Sequence, residues 1–173
     1  MFRIFFRIFI SGCLFCSACE SINKGSSKAK SVSKPNQEIQ IAPETIFLSN
    51  LTEILQNIRA LDQEIDITTA DGAMDYESFS SLFTTFVYPR LVSLIKMANK
   101  LHPVTPTQVA VHQNILTYLN HRKTAAIVVG ESSSEDHNWL KIFDAHLDDA
   151  EEIAQLLREN IAEVRKENAN RKN

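Results

Sequence analysis

Glycine, proline and cysteine are all scarce in this 173-residue chain, and each shortage excludes something. Four Gly and five Pro rule out collagen-like, β-helical and Gly-rich repeat architectures. The Gly residues stand apart at positions 12, 25, 72 and 130, so no Gly-rich loop exists to cradle a phosphate. All three Cys (Cys13, Cys16 and Cys19) fall within the first twenty residues, which leaves the body without a thiol nucleophile or a Cys metal ligand. Basic excess is missing too: 18 Lys+Arg against 21 Asp+Glu give −3, the wrong sign for a nucleic-acid partner. The length suits one ordinary domain rather than two.

What is present is uneven. The first twenty residues hold five of the ten Phe as well as the three Cys. Arg3 and Arg7 supply a positive start, and residues 8–18 form an eleven-residue run of apolar and small residues. That run fits a signal-peptide core of roughly 7–15 residues. It is too short for a membrane span, which needs about 20 apolar residues, and Lys24, Lys28 and Lys30 follow closely.

Ser17 and Ala18 put two small residues directly before Cys19. This resembles the lipobox of bacterial lipoproteins, with Cys16 where that family usually has Leu. The resemblance implies a diacylglycerol thioether on Cys19, cleavage before it and anchoring in the cell envelope. Ile10, Ser11, Gly12 and Cys13 also fit the pattern, but leave only three hydrophobic residues after Arg7. Cys19 is therefore the expected lipidation site, and Cys13 the alternative. A plain secretory peptide would instead give a secreted protein. In lipoproteins generally an Asp after the lipidated Cys favours inner-membrane retention; Glu20 stands here and leans towards the outer membrane. Cleavage at Cys19 removes two Arg and moves the side-chain charge to −5.

The pattern then divides the chain into a signal peptide over 1–18, a lipidated Cys and flexible linker over 19–44, a helical bundle over 45–168 and a frayed tail over 169–173. The linker carries Ser and Lys with little to bury, so ordering it gains nothing.

From about Ser49 the hydrophobic spacing is helical throughout. Leu51, Ile54, Leu55, Ile58, Leu61 and Ile65 make one stripe, with Asn50 and Glu53 as a possible capping box. A second helix opens near Asp75 and carries Phe79, Phe83 and Val87, then Leu91 and Leu94. Pro89 predicts a kink or two abutting helices, because it lacks an N–H and crowds the preceding turn. Thr105, Pro106 and Gln108 mark a third start, with Val109, His112, Leu116, Leu119 and Ile127 as its inner face and Gly130 as its stop. Ser132, Ser133 and Ser134 offer caps for a last helix whose stripe runs from Trp139 to Val164. No segment alternates convincingly as a strand; Ala126–Val129 is too short. The expected fold class is all-α, an up-down bundle of about four helices with the second kinked or split at Pro89.

Catalytic patterns are missing. His112 and His121 are nine residues apart, as are His137 and His146, and nine residues put two side chains on opposite helix faces. Neither H-E-x-x-H nor the Glu-x-x-His pairs of di-iron bundles occur. Asp144/Asp148 and Asp148/Glu152 share a helical face, as a solvated acidic surface would. No enzyme, cofactor or metal ligand set is expected, although a metal site assembled between helices stays open.

Binding remains. Residues 44–173 hold 12 basic and 19 acidic side chains, so the body prefers a basic or apolar partner. Trp139, Tyr88 and Arg90 are of the types that anchor interfaces, though Trp139 also fits a role capping the core. Across Leu91 to Val129, a Pro break is followed by a capped helix with His in its first turns. That body resembles small all-helical envelope lipoproteins of unknown function. The readings are a lipid-anchored, non-enzymatic adaptor or scaffold for another envelope protein; a secretion pilot-type chaperone binding a partner helix; and a metal-binding helical bundle.

Overall fold

The computed structural model describes residues 43–70, 74–136 and 138–170. The signal peptide, Cys19, most of the linker, Asp71, Gly72, His137 and the last three residues lie outside them. Every described element is helical: α1 (Pro43–Thr69), α2 (Tyr76–Ser81), a π-helical segment (Leu82–Val87), α3 (Tyr88–Ala98), α4 (Pro106–Glu131) and α5 (Asn138–Asn170). Ala126–Val129, the one strand candidate, lies inside α4. None of the described helices is long and apolar enough to cross a membrane.

The stripe of α1 is the one its spacing predicts, extended backwards by Phe47. That extra buried ring explains why the helix starts at Pro43, earlier than the Asn50 capping box. Asn50 is instead an exposed residue within the helix.

The next helix is continuous from Tyr76 to Ala98 but changes pitch. Asp75 caps it, its Oδ1 accepting from the Ser78 N–H at 2.7 Å. Phe79, Phe83, Val87 and Leu91 are all buried at intervals of four. In an ordinary α-helix four-residue steps drift by ~40° each. The wider turns of Leu82–Val87 absorb that drift, and the Tyr88 N–H bonds Phe83 O, five residues back. Pro89 follows immediately, in the first turn of α3. This is the abutting arrangement that Pro89 predicts, and the junction is a widened turn.

Helix α4 starts as its sequence predicts. Thr105 Oγ1 accepts from Gln108 N–H at 3.2 Å, and Gln108 Oε1 accepts from Val104 N–H at 2.8 Å. Its buried face is rotated from the expected one: Leu119 is buried as expected and Leu116, His112 and Ile127 are half-buried, but Val111, Ile115, Tyr118, Arg122 and Val129 face fully inward and Val109 is exposed. The helix packs on both α3 and α5, so apolar residues surround it and their spacing does not fix one phase. Gly130 is likewise not a stop, because α4 runs on to Glu131. A Cβ there would stand 2.5 Å from Thr84 Cγ2, so the glycine permits close approach to the π-helical segment.

Helix α5 opens at Asn138, whose N–H donates to Asp136 Oδ1 at 3.0 Å, while Ser132 Oγ donates back to Val128 O at the end of α4. It continues to Asn170, beyond the end of its apolar stripe at Val164. Glu167 accepts from Thr107 Oγ1 at 2.6 Å and ties that last stretch to the start of α4.

Contacts at matching levels define the directions. Glu44 lies beside Thr105 and Gln108, and Asp62 further along α1 pairs with Arg122 further along α4, so these two helices run the same way. Tyr76 reaches the Ser132 carbonyl at 2.6 Å, joining the start of α2 to the end of α4. Thr107 meets Glu167 across α4 and α5. Successive helices are therefore antiparallel, and the described body is an all-α up-down bundle of four helices, with α2, the π segment and α3 counted as one. Part of its core is an aromatic cluster: Phe79, Phe83, Trp139 and Phe143 meet with ring centroids 4.5–6.2 Å apart. Such pairs add about 0.5–1.5 kcal/mol each beyond area burial.

Replacing Gly130 with Ala tests the close approach. Helix propensity alone favours Ala by ~1 kcal/mol, but the methyl overlaps Thr84. Urea denaturation is expected to register no gain for G130A in the wild type and a gain of about 0.5–1 kcal/mol in a T84S background, where Cγ2 is gone. Equal effects in both backgrounds would overturn the packing role.

Candidate functional site

An ion pair is sealed in the bundle. Asp62 on α1 and Arg122 on α4 are almost wholly buried, with Arg122 Nη2 2.6 Å from Asp62 Oδ1. Arg122 Nη1 also donates to the Tyr118 hydroxyl at 2.9 Å, one turn back along α4. Oδ1 has no well-aligned hydrogen bond, so its compensation is the charge contact itself. Burial works against the guanidinium charge, but Asp62 and Tyr118 more than offset it and raise the Arg122 pKa. Burial pushes the Tyr118 phenol up to about 12, although Arg122 pulls the other way. Asp66, one turn beyond Asp62, is raised by burial and by Asp62, with Arg122 opposing. A pair so enclosed organises the fold and offers nothing to a substrate.

One residue before Arg122, His121 points across the seam between α4 and α5. Its Nδ1 stands 3.5 Å from His146 Nδ1 and 3.3 Å from Asp149 Oδ2. The rings are tilted at 53° with centroids 5.7 Å apart. One donor atom from each of the three side chains falls within a 4.8 Å spread. His146 and Asp149 are three residues apart on α5 and share a face; the antiparallel packing of α4 brings His121 to them. Both histidines are half-buried and Asp149 is exposed. Sequence spacing identified neither the pairing nor the Asp, because the partners are 25 and 28 residues away on another helix. His112, the other histidine of α4, is not in this cluster, and its Nε2 is buried without a hydrogen-bond partner.

The residues marked for partner binding separate. Trp139 is only 6% exposed and packs on Tyr76, Phe79 and Phe143, which is its core-capping role. Tyr88 is exposed. Arg90 is half-exposed, held by Glu64 at 2.6 Å and lying 4.2 Å from the centre of the Phe86 ring. Along the outer side of α5, the exposed acids Asp144, Asp148 and Glu152 share a face with two exposed apolar side chains, Ile142 and Leu156, while Asp149 turns towards the α4 seam. Burial, then Asp148, raises the pKa of Asp144.

Two outcomes check the buried network. R122M leaves Asp62 charged and unpaired and should cost about 3–5 kcal/mol in denaturant, whereas D62L/R122M should recover most of that loss. The phenol of Tyr118 ionises more readily in the unfolded chain than in the folded one. Stability should therefore fall as pH rises from about 10 towards about 12, and Tyr118→Phe should reduce that slope.

No family model matches the chain, and no curated protein or solved structure matches it either.

Proposed function

We propose that this protein is a lipid-anchored, non-enzymatic adaptor of the bacterial cell envelope. In this reading Cys19 carries the lipid, the Ser- and Lys-rich segment after it is a spacer, and the bundle docks another envelope protein. The outer membrane is the favoured location because Glu20 follows the lipidated Cys.

The observation that supports docking is the outer face of α5. Its acids are exposed and contiguous, and Ile142 and Leu156 give apolar contact points within the same face. Such a surface attracts a basic partner and is repelled by anionic head groups, so it would face away from the membrane. The pilot-type alternative calls for an open apolar groove beside Pro89. Phe83, Val87 and Leu91 are instead buried there, and Arg90 covers the Phe86 ring, so that reading has less support.

Palmitate labelling is expected to be lost in Cys19→Ser and kept in Cys13→Ser and Cys16→Ser. Loss only in Cys13→Ser would move the anchor, and absence of label in the wild type would overturn anchoring. For docking, a photo-crosslinking residue at position 156 should give a discrete adduct in intact envelopes that position 93, exposed on α3, does not. D148K/E152K should reduce that adduct several-fold while leaving palmitate labelling intact. Equal adducts at both positions, or indifference to the charge reversal, would overturn the acidic face as the docking surface.

A further inference from the structure

We propose that His121, His146 and Asp149 bind a single divalent transition-metal ion of the zinc class. The inference is independent of the adaptor reading and rests on interhelical geometry.

Distances come first. A tetrahedral zinc site with bonds of about 2.05 Å has ligand-to-ligand edges of ~3.3 Å. Two separations in the structure, 3.5 Å between the histidine Nδ1 atoms and 3.3 Å from His121 Nδ1 to Asp149 Oδ2, are close to that edge. His121 Nδ1 is thus near both other donors, as one vertex of such a site must be. Small rotations of side chains that are half-buried or exposed would bring all three to a common centre.

The donor chemistry then narrows the ion. Two imidazole nitrogens and one carboxylate oxygen suit zinc, copper or nickel, whereas calcium and magnesium favour all-oxygen shells. Two ring nitrogens that face each other cannot both carry a proton there. At least one lone pair is directed into the gap, and metal binding uses such lone pairs on neutral imidazole. Among the described residues no Lys or Arg pairs with Asp149, so no fixed cation competes for its carboxylate. Exposure of Asp149 gives the ion an entry path and leaves a coordination position for water. The bound ion would clip α4 to α5 in the half of their hairpin nearer the turn.

The test uses the full chain in detergent, purified without a polyhistidine tag and stripped with chelator. Titration with Zn²⁺ is expected to give one ion per chain, and Co²⁺ should produce the visible bands of a low-symmetry N/O site. His121→Asn, His146→Asn and Asp149→Asn should each weaken binding by roughly 10–100-fold or more, at least what loss of an outer-shell partner costs. His112→Asn should leave binding unchanged. Zn²⁺ should also raise the Tm of the wild type and not that of the triple variant. Circular dichroism checks that each variant is folded; if a histidine variant is not, the exposed Asp149→Asn carries the test. Absence of a stoichiometric ion on the wild type, or wild-type affinity in Asp149→Asn, would overturn the site.

Discussion

The buried pair of Asp62 and Arg122 is the contact on which the arrangement of helices depends. A charge this deep is tolerated only when its partner is in place, and the partners here come from α1 and α4, the first and third helices of the bundle. Sliding α1 by one turn would leave both uncompensated in an apolar interior, an outcome far worse than any loss of hydrophobic contact. The pair thus selects one register for α1, which otherwise rests on a uniform stripe of Leu and Ile that would pack in several. Tyr118 extends the constraint along α4 by fixing the guanidinium plane. With Arg122 locked inward, His121 on the preceding position has its direction set towards the α5 seam.

Local signals in the sequence were legible where short-range chemistry decides the outcome. Thr105, Pro106 and Gln108 define a helix start through atoms within four residues of one another, and Asp75 does the same for α2. The stripes of α1 and α5 were also legible, because each buries a single face. Phase failed in α4, where neighbours on several sides leave Val109 and Val111 equally plausible as inward residues. Gly130 reads as a terminator in isolation and becomes intelligible only with Thr84 beside it, 46 residues away in sequence. The histidine cluster was invisible for the same reason. Spacing rules correctly separate His112 from His121 on one helix, yet say nothing about which histidine a neighbouring helix will supply.

The bundle divides its labour along the chain. From α1 to α3 the helices supply about half of the large aliphatic and aromatic interior and no buried cation, with Arg90 bridging Glu64 and Phe86 on the outside. The hairpin of α4 and α5 carries the unusual chemistry: the enclosed guanidinium, the histidine pair and the acidic outer face. These lie on successive sides of the same two helices, so the interior charge, the seam and the surface are mechanically continuous. Any event that shifts α5 along α4 would be felt at the His121–His146 contact and at the Thr107–Glu167 hydrogen bond together.

The widened turns before Pro89 make chain length itself a structural variable. An α-helix advances about 100° per residue, so adding or removing one residue normally turns everything beyond it to a new direction. Here the surplus is already stored in the backbone between Leu82 and Val87. Deleting one residue from that segment would let the helix revert to ordinary pitch with both flanking aromatic and aliphatic faces still directed inward. Inserting one elsewhere in the same helix would not. The segment therefore behaves as a phase adjuster, a place where the chain could lose a residue while the rest of the bundle keeps its geometry.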